Sequence, residues 1–479
     1  MSPHSRRSQR RYRAACDQPS AKASPITGSS AETARRYGRR TMLAAGAAAL
    51  GLPALVACGS LSAGTNVNSQ PVIPKSDGPV TLTYWAWVKN LQKVADIFNA
   101  TQDRIHVKAT WIQGGESGGY AKILSAVAAG GGPDIAQVEL RAIPDFALAG
   151  ALVDLARYGA KDHEKLFAPS AWSQTVIGDG IYGIPQDTGP GAMFYNREVM
   201  SDIGASPPAT WDEFRTLAAL VKDSGSGRYV ETLNPGDGMY LAFLVQQSGA
   251  TWFKPHGSAW EVAMTDERTM EVAEYWDRML GDKLISTAYG AFSTPWMSAA
   301  GKGEVLSYIG GSWGDALIEG LPEGEGKWAA APMPRWPHGF ASSQLGGSAA
   351  AVLANSKHPA EALEFLVWMC STPEGIDAMI EHCGIGWSPA KDYIGASREK
   401  PSAYFSGQNY NKEVIEPMAE GQNLHWMWAP IVQRVNSLLS DGLRARISGG
   451  PSLVDFMPTA QKEVLGIMRG LGLDAEEAS

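Results

Sequence analysis

Between Val80 and Leu140 the sequence switches back and forth between two hydrophobic periods, and this alternation limits the fold more than any other feature. Val80-Thr81-Leu82-Thr83-Tyr84-Trp85 alternates at period two and is rich in β-formers. Leu91, Val94, Ala95 and Phe98 then recur at helical spacing. Ile105 to Trp111 reads as a second strand, Tyr120, Ile123, Leu124, Val127 and Ala128 as a second helix face, and Asp134 to Leu140 as a third strand. Strands alternating with helices at this spacing predict a parallel sheet in an α/β unit. A second set follows beyond residue 190. Thr210-Trp211-Asp212-Glu213 is a capping box. Asp266 to Leu280 is a predicted helix, Glu304 to Ile309 a strand running into Gly310-Gly311-Ser312-Trp313-Gly314, Ser348 to Leu353 an apolar strand, and Pro359 to Cys370 a helix.

The N-terminus has a different character. Residues 1–41 are polar and basic, with Arg39-Arg40 ahead of an apolar run, Met42 to Val56, that ends in Leu55-Val56-Ala57-Cys58. A charged stretch, an apolar run of about 15 residues and small residues at its end make a secretory signal. The run falls short of the roughly 20 residues that cross a bilayer. Its end resembles a lipobox, which implies cleavage before Cys58 and a lipid on that cysteine, with two acyl chains enough for stable anchoring. Gly38-Arg39-Arg40-Thr41-Met42-Leu43 resembles a twin-arginine (Tat) export signal, with Sec export the alternative. Residues 1–57 are therefore expected as signal peptide and residues 58–78, with many Gly, Ser, Asn and Pro, as a flexible tether.

Residues 1–57 hold 10 of the 41 Lys and Arg but only 2 of the 49 Asp and Glu, so the remainder carries a formal charge of about −16 against −8 for the whole chain. A field of that sign opposes nucleic-acid binding. Of four cysteines, Cys370 and Cys383 remain for the folded part, in a compartment that permits disulfides; a bridge and two buried thiols are both compatible with their spacing. His382 has no further His or Cys at ligand spacing, so no metal and no cofactor are expected. A chain of this length exceeds a comfortable single domain and predicts two or three compact units.

Several short segments, in order, carry a family resemblance: Tyr84-Trp85-Ala86-Trp87, Gly131-Gly132-Pro133-Asp134-Ile135, Ile181-Tyr182-Gly183-Ile184-Pro185, Phe194-Tyr195-Asn196-Arg197, Pro208 to Phe214, Gly310-Gly311-Ser312-Trp313, Leu345-Gly346-Gly347-Ser348-Ala349, and Ser371-Thr372-Pro373-Glu374-Gly375. Together they resemble the extracellular solute-binding proteins of carbohydrate ABC importers, a family similar to maltose-binding protein. The resemblance implies a type II periplasmic-binding-protein-like α/β fold, two lobes joined by crossing segments with the ligand in the cleft between them. Carried onto this chain, it puts one lobe at 79–188 plus 342–388 and the other at 189–341 plus 389–479. Crossings are expected near Asp187 to Gly191, Pro334 to Gly346 and Gly386 to Lys391. It also implies a sugar as ligand, an ABC permease as partner, a monomer, and a place on the outer face of the cytoplasmic membrane.

A pyranose needs flat rings against its C–H face and carboxylates or amides around its rim. Trp313, after a strand and among glycines, matches a position where the family places a stacking ring. Trp387, Trp252, Trp85 and Trp87 are the other expected rings. Glu139 ends a strand where open α/β sheets expose ligand-facing groups, and Asp187 sits at the first crossing. Gln113, Glu116 and Ser117 lie on the loop that opens the helix at Tyr120, whose free N–H groups can bond hydroxyls. Gly346 and Gly347 offer backbone amides that no side chain shields. Trp276 and Trp368, at helical spacing among apolar residues, read as core.

Two enzyme motifs match by letter. Gly115-Glu116-Ser117-Gly118-Gly119 fits a hydrolase elbow, but no Asp-then-His pair follows in a recognisable setting. Gly178, Gly180 and Gly183 fit G-x-G-x-x-G, yet lead into a strand, which makes the segment a hairpin turn. A glycoside hydrolase using Glu139 and Asp187 as acid and base and a carrier of another polar solute, a polyol or glycerophosphodiester, remain as alternatives to sugar binding. The whole-chain resemblance favours binding without catalysis.

Overall fold

The computed structural model describes residues 67–256 and 259–478; the signal segment and Cys58 lie outside the described residues. The opening strand β1 (Val80–Ala86) buries every second residue, Val80, Leu82, Tyr84 and Ala86, as its period requires. The helix Leu91–Thr101 buries Leu91, Val94, Ala95 and Phe98. Strands β2 (Ile105–Trp111) and β3 (Ile135–Glu139) both lie parallel to β1. The predicted α/β unit is therefore present, with helices between parallel strands.

Four more strands complete a seven-stranded sheet: β4 (Ile184–Asn196), β5 (Ser307–Gly311), β6 (Trp328–Ala331) and β7 (Gln344–Val352), in the order β6-β4-β7-β3-β1-β2 with β5 also on β4. The 13-residue strand β4 is shared. Its first half pairs antiparallel with β7, Ile184 opposite Ala350 and Thr188 opposite Gly347. Its second half pairs with β5 and β6, from Gly191 to Asn196. Along β7, Ala349 and Ala351 join one apolar cluster while Ala350 and Val352 join another, so both faces of this part of the sheet are covered. Met193 and its neighbours Ala192 and Phe194 divide in the same way between two further clusters, built from residues 192–341 and 387–475. Two cores thus sit on one strand system, the two-lobed arrangement.

The crossing segments are bonded side by side. Thr188 on β4 pairs with Gly347 on β7 and, by N–H···O bonds of 2.9 Å in each direction, with Trp387 on a third segment. Pro190, between Gly189 and Gly191, has no N–H to give the ladder, and the register of β4 on β7 shifts there.

Local chemistry follows the sequence closely in places. Thr210 Oγ1 accepts from Glu213 N at 3.2 Å, and the Glu213 carboxylate accepts in turn from Ala209 N at 2.7 Å. The glycine-rich stretch after Val176 is a two-stranded hairpin, Val176–Ile177 with Gly180–Ile181. Elsewhere the structure corrects expectation. Part of the expected tether is fastened: Asn68 bonds Leu152 O and Asp154 N at 3.2 and 2.8 Å, Ile73 N bonds the Tyr158 hydroxyl, and Ser76 N bonds Glu361. Cys370 and Cys383 are free thiols, so the bridge is not formed. Both pack in the first apolar core, and burial pushes the Cys383 thiol up to about 12. Among the described residues no helix is long and apolar enough to cross a membrane.

Candidate functional site

A cavity of about 260 Å³ lies where the two cores face each other. From the first lobe come Glu139 and Arg141, at the C-terminal end of β3. The start of β7 adds Gln344, Leu345 and Gly346. The second lobe supplies three stretches: Glu231 to Tyr240, Phe292 to Trp313, and Trp428.

Glu139 Oε2 accepts from the Tyr120 hydroxyl at 2.5 Å and from Arg141 Nη2 at 3.0 Å. The strand end aims the carboxylate, and the tyrosine and arginine fix its rotamer. Across the cavity, fully buried Glu231 accepts from Thr232 N at 2.8 Å through one oxygen and from Ile309 N at 2.7 Å through the other. Burial pushes its carboxyl up from 4.5 to about 8, against the opposing pull of these bonds. At neutral pH the protonated form is thereby favoured. Asp237 precedes the helix Gly238–Ser248, and burial raises its carboxyl too. One turn on, the Tyr240 hydroxyl is buried with no hydrogen-bond partner among the described residues.

The aromatic wall is Phe292, Tyr308 and Trp313. The Trp313 centroid lies 5.7 Å from that of Phe292 and 6.0 Å from that of Tyr308. Its Nε1 donates to Leu345 O at 2.8 Å, which ties the ring to the second crossing. A Cβ on Gly311 would stand 2.3 Å from that Nε1, so the ring can lie here only against bare backbone. Phe292 holds a left-handed backbone, φ 62°. Such a conformation costs a bulky residue on the order of 1–3 kcal/mol and clusters at functional sites.

Of the residues singled out in the sequence, Trp313, Glu139 and Gly346 line this cavity. The others lie elsewhere. Trp252 is a correction: it is fully buried in the second core, donating to Thr269 Oγ1 at 2.9 Å and packing on Trp426, because Gly249 just before it ends a helix instead of framing an open loop. Trp387 is at the third crossing, but its ring is buried in the apolar cluster that also holds Phe194 and Phe405, with Arg398 at 5.8 Å. Asp187 is buried outside the cavity lining. Its oxygens accept from Ser348 N at 2.8 Å and Gly386 N at 3.2 Å, so one carboxyl clips all three crossings. Burial, partly offset by these bonds, raises it to about 6. Gly347 (φ 91°) belongs to the same junction. Trp85, under Lys122, and Trp87, edge-on to Tyr120, are half-buried against the first lobe. Gln113 and Ser117 are exposed on the loop that also holds Glu116, and neither lines the cavity. His256, Glu261 and Glu476 form a surface ion cluster, and none of them lines the cavity.

Glu231, Asp237, Tyr240, Phe292 and Trp428 do not stand out in the sequence. The usable signals are local: Asn234-Pro235-Gly236-Asp237-Gly238 is a turn that delivers an acid to a helix start, and Trp426-Met427-Trp428-Ala429-Pro430 is an aromatic stretch closed by proline.

Residues 84–375 match the family model described as bacterial extracellular solute-binding protein. The chain belongs to that family. The match covers more than half the sequence and contains Glu139, Glu231 and Trp313. Among curated relatives of this solute-binding protein is the arabinooligosaccharide-binding protein of Bacillus subtilis, 27% identical over 341 residues, 67% of this chain and 77% of that one. The lactose-binding protein of Rhizobium radiobacter is 26% identical over 48% of this chain and 54% of its own length. Among solved structures, the galacto-N-biose/lacto-N-biose I-binding protein of an ABC transporter from Bifidobacterium longum superposes with a TM-score of 0.74 at 25% identity, covering 84% of this chain and all of that one. These are proteins of the two-lobed binding type, and the family description puts the chain outside the cytoplasm.

Proposed function

We propose that this solute-binding protein takes a sugar into the cleft between its lobes and delivers it to an ABC permease. The observation that carries the reading is the mixed wall of the cavity, where carboxyl and amide groups (Glu139, Glu231, Asp237, Gln344) meet aromatic faces (Trp313, Phe292, Trp428). Hydroxyls need the first set and C–H faces the second. Sugars named for the relatives, arabinooligosaccharide and lactose, support the same class.

A glycerophosphodiester suits the wall less well. Arg141 is the cationic side chain there, and Glu139 already bonds it, while Asp237 adds a further carboxyl to the same wall. Hydrolysis by a Glu139–Asp187 pair loses its geometry, since Asp187 is bonded into the crossings. The lobes, 79–188 with 342–388 and 189–341 with 389–479, close on the ligand because only the closed form lets both touch it. Cys58 carries the lipid after Tat or Sec export, and the carrier works as a monomer without cofactor.

A thermal-shift panel of mono- and oligosaccharides, polyols and glycerol phosphates tests the reading. A ligand at 100 times its dissociation constant adds about 2.7 kcal/mol, a shift visible in the melt. A shift with a sugar recovered intact is the expected result. Shifts with polyols or phosphates alone, or cleaved glycan, would refute it.

A further inference from the structure

Trp428 has two sides. It lines the polar cavity and also a second one of about 330 Å³, whose walls again come from both lobes. The first lobe gives Leu148 and the hairpin residues Ile177 and Tyr182, the second Trp260, Leu424 and Trp426. The chemistry differs sharply between the two cavities that share Trp428. The first cavity holds Glu139, Arg141, Glu231 and Asp237; the second has no carboxylate, lysine or arginine in its lining, and its polar members are Ser173, Gln174, Tyr182 and His425. Gln174 Nε2 already bonds Trp426 O at 3.4 Å. Leu148 and Leu424 are 49% and 48% exposed, large apolar side chains left open on the walls of one chamber. The Trp426 Nε1, buried in the same wall, has no partner among the described residues.

We propose that this chamber is a second subsite for the same ligand and takes an apolar aglycone. The ligand is then a glycoside, a sugar bearing an aryl or short alkyl group. The inference rests on the sugar reading of the first cavity. A second pyranose would bring several hydroxyls into a chamber with few partners for them, and each one buried unbonded costs about 1–3 kcal/mol. An aryl ring meets rings and leucines instead.

Isothermal titration calorimetry on the full chain tests this, with glucose, galactose and arabinose, the phenyl glycoside of each, and lactose. The expected result is a phenyl glycoside that binds at least ten-fold more tightly than its parent sugar and more tightly than lactose. In the Leu148→Gln/Leu424→Gln variant, altered only at exposed positions of the second chamber, that gain disappears and the parent sugar binds as before. Equal affinity of glycoside and parent, a larger gain from lactose than from phenyl, or a phenyl gain that survives the variant would each overturn the subsite. Failure of every sugar and glycoside to bind would instead remove the sugar reading, and the subsite with it.

Discussion

Glu231→Gln should flatten the dependence of stability on alkaline pH. The wild-type carboxyl titrates near 4.5 when unfolded and at about 8 when folded. Between those values the folded chain keeps the proton and the unfolded chain has released it, so raising the pH favours unfolding. Stability from this group is complete below pH 4.5 and is lost progressively until pH 8, at about 1.4 kcal/mol per pH unit. From pH 6.5 to 8 the loss is about 2 kcal/mol. Asp187 and Asp145, raised to about 6, have delivered most of their own loss by the start of that window. Glutamine has the same shape and no proton to lose, but it turns an amide toward the Thr232 or Ile309 N–H, a fixed cost of about 1–3 kcal/mol at every pH. Urea unfolding of both proteins at pH 6.5 and 8 gives the comparison. The wild type should lose about 2 kcal/mol more than the variant across the interval. Parallel losses would refute the claim that the cavity wall holds this carboxyl neutral.

Trp313→Ala removes a ring face and the bond to Leu345 O; sugar affinity by calorimetry should fall ten-fold or more. Trp252→Ala should lower stability by about 3–5 kcal/mol in urea unfolding while the folded protein binds ligand as before, since the ring is core. Asp187→Ala leaves the Ser348 and Gly386 N–H groups unbonded, a loss of about 1–3 kcal/mol for each in the same assay. Dithiothreitol should leave the melting temperature unchanged, because Cys370 and Cys383 are free thiols.

The first lobe is readable in the sequence because period is a one-dimensional signal: Leu82 and Tyr84 alternate, Leu91 to Phe98 recur by turns, and the structure buries those same residues. The cavity is harder to read because its members come from stretches far apart in the chain that meet only after both lobes fold. Glu139 and Trp313 are visible since one ends a strand and the other follows two residues after one, and strand ends are where open sheets present side chains. Gly249, three residues before Trp252, suggests an open loop equally well, yet it caps the end of the helix Gly238–Ser248. Nothing local separates a tryptophan that meets solvent from one that meets Thr269. Asp187 illustrates the same difficulty for acids: sequence places it at the crossing, but only the fold shows its oxygens turned to Ser348 and Gly386.

Because β4 and β7 each serve two cores, neither lobe is a transferable module. A fragment ending near residue 190 would lose the β7 half of its own sheet and bare the edge of β3 and β4, the kind of open strand that recruits other chains. The second lobe alone would lack the crossing that holds its sheet to the first. Unfolding in a calorimeter should therefore proceed as one cooperative event, and exchanging one lobe would break the strands both depend on.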